Sequence, residues 1–167
     1  VPSVPDLIVP LGESAARPAG KTVGWMGSAG NVKYLMEIKP VLDALGASEP
    51  GLRIRIVSDA DLSAFREPWY ERAVWSLETE ADELRRFDIG LMPLSDTPWT
   101  RGKCGFKILQ YMSASLPVVC SPVGVNRDFV RPGVNGFWAQ NAEEWTTALK
   151  ILLSTPDLRR KMGVAGR

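Results

Sequence analysis

Lys103, Lys107 and Gln110 stand at i, i+4 and i+7 of the stretch RGKCGFKILQYMSASLPVVCSPVGVN, residues 101–126. On a helix that spacing puts all three on one face. Two ammonium groups and an amide on one face suit an anion that carries a further polar group, and a nucleoside diphosphate has that make-up. The same spacing turns Phe106, Leu109 and Ser113 away, toward the sheet such a helix covers. Gly105 and Phe106 open the helix, where backbone N–H groups lack intrahelical acceptors and favour an anion. Cations at that end are unfavourable against the positive pole of the helix unless an anion bridges them. The plainer reading is that both lysines are solvated, as lysines mostly are. Arg101 is a further cation in the same loop.

Such a face needs a scaffold, and the pattern supplies one. TVGWM (Thr22–Met26) reads as a buried strand that ends in the turn GSAG at 27–30. Glycine there lets Gly27 and Ser28 approach a ligand closely, or simply makes a tight strand-to-helix turn. Asn31 then caps a helix to residue 45, with Gly46 as its stop and a kink expected at Pro40. Further strands are expected at 52–57, 73–77, 87–92, 117–121 and 136–139. Helices are expected at 79–86, 103–115, 124–130, 142–153 and 156–162, with 58–72 mixed and 93–102 a loop. The alternation implies an α/β fold: a Rossmann-like parallel sheet of about six strands with helices on both faces.

Composition narrows the chemistry. The chain has 167 residues, 45% of them hydrophobic, enough for one domain with a sizeable core. Its net charge of +1 argues against nucleic-acid binding through a basic surface. There is no histidine, so any mechanism that needs an imidazole base must import it. The cysteines, Cys104 and Cys120, show neither metal spacing nor a disulfide framework. Cys104 near a helix start invites a nucleophile reading, but nothing beside it is suited to activate it. Asp88 begins a strand and Glu143 and Glu144 open a helix, so structural roles are favoured for all three. No stretch has the length of a transmembrane helix and no signal peptide opens the chain, which makes a reducing cytoplasm the default. Residues 1–20 are Pro-rich and read as a linker, and 21–167 as the domain. The chain begins at Val1, and its last helix-like stretch stops in mid-pattern. We read it as one domain of a longer protein.

The stretches GWMGSAGNVKYL, FDIGLMPL, GVNGFWA and EEWTTALKILL, together with 101–126, resemble the C-terminal half of a family 4 glycosyltransferase. These are the retaining, group 1 enzymes of the two-domain GT-B fold, and the resemblance covers 20–167. It implies a donor-binding domain for a nucleotide sugar, working without metal or other cofactor, because cationic side chains and helix N-termini serve the diphosphate. It implies an N-terminal acceptor domain as partner and polysaccharide or lipopolysaccharide synthesis as setting. It allows peripheral association of the full protein with the inner face of the membrane.

Position by position, the second of the family's paired glutamates, separated by seven residues, falls on Gln110, whose amide can still bond a ribose hydroxyl. The first falls on Gly102, which has no side chain; Lys103 beside it can take an ionic role. An arginine of the family falls on Ser28 and a lysine on Lys33. Trp75 and Ser76 fall in the loop under the nucleobase, where Trp75 either stacks or, as we favour, packs in the core. Trp99, in the polar loop, suits a sugar or a domain contact. Lys103 and Lys107 would be the residues that stabilise the departing diphosphate, and this domain alone would be inactive. The alternatives are a non-catalytic sugar-nucleotide-binding module, a degenerate transferase half, or an unrelated α/β domain. The last lacks support, since no G-x-G-x-x-G follows the first strand and no receiver-type acidic cluster is present.

Overall fold

The structure, a computed structural model, describes residues 20–167. The expected linker therefore lies, except for Gly20, outside the described residues. Six parallel strands form one sheet: β1 (Thr22–Met26), β2 (Arg53–Ser58), β3 (Tyr70–Val74), β4 (Ile89–Met92), β5 (Val118–Cys120) and β6 (Gly136–Trp138). Their order is β3-β2-β1-β4-β5-β6, so the expected Rossmann-like sheet is present, with β1 inside and β2 beside it.

Alternation along the strands sorts the core into two layers. Val23 and Trp25 of β1 face α1 (Val32–Ser48) and α6 (Ala142–Ser154), which pack on one side with Leu35, Leu42, Trp145 and Leu149. Met26, Val57 and Cys120 face the other side, where α2 (Glu80–Arg85) and α4 (Phe106–Ser113) contribute Leu84, Ile108 and Tyr111. Two glycines make that side work. Gly24 and Gly90 are direct neighbours in the β1–β4 register. A Cβ on Gly24 would stand 2.0 Å from the Phe87 ring, and one on Gly90 2.5 Å from the Tyr111 ring. The missing side chains leave room for both rings against the sheet, and so fix how closely α4 approaches it.

Several boundaries differ from the sequence reading. α1 passes through Pro40 and Gly46 and ends at Ser48. Gly46 is not its stop but a point of contact, since a Cβ there would lie 2.3 Å from the Trp69 ring. The third strand is Tyr70–Val74 rather than 73–77. Its apolar residues misled the pattern: Val74 and Leu77 are 81% and 78% exposed, while Tyr70 turns inward. The loop at 93–102 contains a short helix, α3 (Pro98–Arg101), capped by Thr97, whose side chain accepts from the Thr100 N–H. α4 begins at Phe106, not at residue 103, because Gly105 takes the left-handed conformation at φ 66° and separates the preceding residues from the helix. α5 (Asn126–Phe129) and α7 (Pro156–Gly166) complete the set.

Candidate functional site

β1 and β4 are adjacent, yet the chain leaves β1 for α1 on one face and β4 for α4 on the other. Outside their C-terminal ends the connections diverge and open a crevice, the usual place for a ligand in an open parallel sheet.

The β1 end is pinned from below. Tyr111 of α4 is 1% exposed, and its hydroxyl oxygen accepts from the Met26 N–H at 3.0 Å. Burial pushes its phenol well above the ordinary range, so it stays protonated. The turn beyond runs through buried Gly27 to exposed Ser28. Ser28 Oγ accepts from Asn31 Nδ2 at 3.0 Å, and Asn31 Oδ1 accepts from the Lys103 ammonium at 2.6 Å. Asn31 holds the N-cap position of α1, but its side chain caps nothing and instead bridges the turn to Lys103. The Lys33 and Lys103 ammonium groups stand 5.1 and 5.4 Å from the centroid of the Tyr34 ring. Both gain from its negative face, within the distance at which that attraction matters.

Lys107 lies deeper. It is half-buried, and its ammonium has no hydrogen-bond or ion-pair partner among the described residues. Burial lowers its pKa from the ordinary lysine value; Glu80 opposes this and Lys103 adds to it. Lys103 is lowered too, by burial first and then by Lys33. Lys33 thus acts on Lys103 and Lys103 on Lys107, and two partly buried cations lowered in this way have an uncompensated demand for negative charge.

The remaining expected residues are placed less simply. Lys103 lies outside α4, so the single helical face holds for Lys107 and Gln110 only. Gln110 is 4% exposed, and its Nε2 donates to Glu80 Oε1 at 2.6 Å. Phe106 is 41% exposed and does not face the sheet; the α4 residues that do are Ile108, Tyr111 and Met112. Trp75 is likewise 41% exposed and follows β3, so the favoured core position is wrong; its indole N–H is held by Glu80 Oε2 at 2.8 Å. Ser76 Oγ is engaged with Thr79, accepting its N–H at 3.2 Å. Arg101 is exposed and donates to Asp96 at 2.7 Å, so its charge is already matched. Gly102 ends α3 at φ −83° and offers backbone only.

Glu80, Asn31 and Tyr34 went unrecognised as site residues. Glu80 is one acid among several in ETEADE and carries no spacing signal of its own. A separate cavity of about 440 Å³ lies between α1 and α6, lined by Glu37, Leu94, Ser121, Arg127 and Trp145, and shares no lining residue with the lysine cluster. Among the described residues no group of carboxylates and cysteines has the arrangement of a metal site, and no helix is long and apolar enough to cross a membrane.

The family model for group 1 glycosyl transferases matches residues 20–155. The chain belongs to the group 1 glycosyltransferases. No curated protein matches it by sequence. Among solved structures it is similar to TarM of S. aureus, with a TM-score of 0.71 and 14% identity over 89% of this chain and 31% of TarM. HepE (Alr3699) of Anabaena, solved with UDP and glucose, gives 0.71 and 16% over 98% of this chain and 47% of that one. The C-terminal domain of the group 1 protein LpcC of Francisella tularensis gives 0.67 and 13% over 88% and 83%. At these identities the likeness carries the fold, that of a GT-B C-terminal domain. The chain spans less than half the length of TarM and HepE.

Proposed function

We propose that this chain is the donor-binding half of a retaining, family 4 glycosyltransferase that moves a sugar from a nucleotide diphosphate sugar to an acceptor hydroxyl. The observation that carries the reading is Lys107: a half-buried ammonium without a partner, beside Lys103 and Lys33, at the crevice where β1 and β4 diverge. A diphosphate supplies the missing negative charge. As the bond to the sugar breaks, charge grows on the β-phosphate, and fixed cations in a partly dry site stabilise it. Lys33, Lys103 and Lys107 take that role without a metal ion, with the opening turn of α4 behind them.

UDP is the first probe to use, since HepE was solved with UDP-glucose. Calorimetric titration with UDP, GDP, ADP and their sugars, with and without EDTA, tests the reading. Micromolar-range, EDTA-insensitive binding of one diphosphate supports it; no diphosphate binding refutes it. The acceptor would bind in an N-terminal domain of the full protein, so the 167-residue chain should bind donor and transfer nothing. Measured transfer by this chain alone would refute that part. Polysaccharide or lipopolysaccharide assembly is the setting we infer from family membership.

The degenerate-module reading has two observations in its favour. Gly102 has no side chain to offer a donor sugar, and the Gln110 amide is engaged by Glu80. Turnover by the full protein decides between the two.

A further inference from the structure

Glu80 opens α2, and both of its carboxylate oxygens are held by neutral donors. Gln110 Nε2 donates to Oε1 at 2.6 Å and Trp75 Nε1 to Oε2 at 2.8 Å. Glu80 is half-buried and makes no ion pair among the described residues. Its field reaches Lys107 and supports that residue's charged form, but the two do not close into a salt bridge. A carboxylate oxygen accepts two hydrogen bonds, so each Glu80 oxygen keeps one site open. The carboxylate is therefore oriented and incompletely used. It touches the indole edge of Trp75, an aromatic residue 41% exposed. Its charge also acts on the unpaired cation.

We propose that Glu80 receives a vicinal diol of the ligand, the 2′,3′-diol of a ribonucleoside diphosphate, and that Gln110 positions Glu80 instead of contacting the ligand. This rests on the donor-binding reading above. In a nucleoside diphosphate the ribose stands between base and phosphates. Here an acceptor-only group is hydrogen-bonded to an exposed aromatic and acts electrostatically on an unpaired ammonium. A cis-diol presents two O–H donors at a separation that suits two carboxylate oxygens. Gln110 is less suited to hold the diol, because it is buried, gives one amide N–H to Glu80 and has one acceptor oxygen where a carboxylate has two. The carboxylate also sets selectivity. A 2′-deoxy sugar forfeits a charge-assisted bond, and a 2′-phosphate meets like charge.

The test is calorimetric titration of the 167-residue chain with UDP, 2′-deoxy-UDP and inorganic pyrophosphate. GDP and ADP are run beside their 2′-deoxy forms, so that base preference does not decide the result. The wild type is expected to favour the ribonucleotide by about tenfold or more, the value of one charge-assisted hydrogen bond. Glu80→Gln is expected to collapse that preference to less than about threefold, while pyrophosphate affinity is kept or raised because a nearby negative charge is gone. Gln110→Ala is expected to weaken ribonucleotide binding yet keep the preference. Equal binding of the two sugars by the wild type overturns the proposal without any variant. So does a preference that survives Glu80→Gln, or one abolished by Gln110→Ala alone. Pyrophosphate binding with no nucleotide binding overturns the diol contact and leaves the phosphate site standing. Failure to bind pyrophosphate and every nucleotide overturns the donor-binding reading and this proposal with it.

Discussion

The Lys103 ammonium donates to Asn31 Oδ1 across 2.6 Å, joining the segment ahead of α4 to the start of α1, 72 residues earlier. This bond crosses the crevice between the two connections that leave the sheet on opposite faces. It sets the position of a charge that helix geometry does not set, because Lys103 precedes Gly105 and lies outside α4.

Asn31→Ala should therefore release Lys103 without unfolding the domain. The bond is part-buried, so its loss should cost about 0.5–1.5 kcal/mol in urea unfolding. Diphosphate affinity should fall severalfold while nucleoside affinity stays unchanged. Unchanged diphosphate affinity in calorimetry would mean that Lys103 acts without its tether.

Lys107 should behave as a functional liability. Lys107→Ala should weaken nucleoside diphosphate binding by about one to two decades, the value of one charge-assisted contact, and leave nucleoside binding alone. Stability should not drop in the ligand-free protein, because the ammonium is desolvated without gaining a partner.

The pH dependence has a definite sign. The Lys107 pKa is lower in the folded chain than the ordinary 10.5. Between the two values the unfolded chain binds more protons, so this residue's contribution to stability rises with pH and is complete above 10.5. Tyr70 and Tyr111 act oppositely above pH 10, since their phenols are raised by burial and hold protons that the unfolded chain loses. The informative quantity is the difference from a variant. Lys107→Met should be more stable than wild type at neutral pH, by a margin that shrinks as pH approaches 10.5. A margin independent of pH would show that Lys107 is solvated.

Much of the architecture was legible because it follows from period and punctuation. TVGWM is a buried run bounded by a glycine turn, and it became the inner strand with the expected neighbour. The third strand was misplaced because AVWSL looks like a strand, whereas Val74 and Leu77 are exposed at the sheet margin. Apolar character alone does not report burial there. Lysine positions were legible as cations near a helix start. The single helical face expected to group them was not the means, because Lys103 lies outside α4 and is placed by Tyr34 and Asn31 at a distant helix. Glu80 was hidden for the same reason: its meaning comes from Trp75 and Gln110, five and thirty residues away, meeting at one carboxylate.

Tyr111→Phe tests the floor of the site. The Met26 N–H loses its acceptor in a position closed to water, which should cost about 1–3 kcal/mol. The adjoining Gly27 keeps its N–H bond to the Val57 carbonyl at 3.0 Å, so amide exchange should quicken at Met26 first and less at Gly27. Wild-type exchange rates in the variant would show that the pairing of β1 with β2 alone holds the turn.

Gly124 and Gly133 provide a matched pair for the last prediction. Both have positive φ, 54° and 78°, so alanine at either should cost about 1–2 kcal/mol of backbone strain. Their surroundings differ. A Cβ on Gly133 meets nothing within 4 Å, whereas one on Gly124 would lie 2.6 Å from the Arg101 carbonyl oxygen. Backbone cannot swing aside as a long side chain does, so Gly124→Ala must push the α3 segment outward. That segment runs directly into Gly102 and Lys103. Gly124→Ala should therefore lose both stability and diphosphate affinity, the latter by severalfold, although it touches no ligand. Gly133→Ala should lose comparable strain energy and keep full affinity. Urea unfolding measures the first quantity and calorimetry the second. If both variants bind diphosphate like the wild type, the position of α3 is irrelevant to Lys103, and the Asn31 tether alone places that charge.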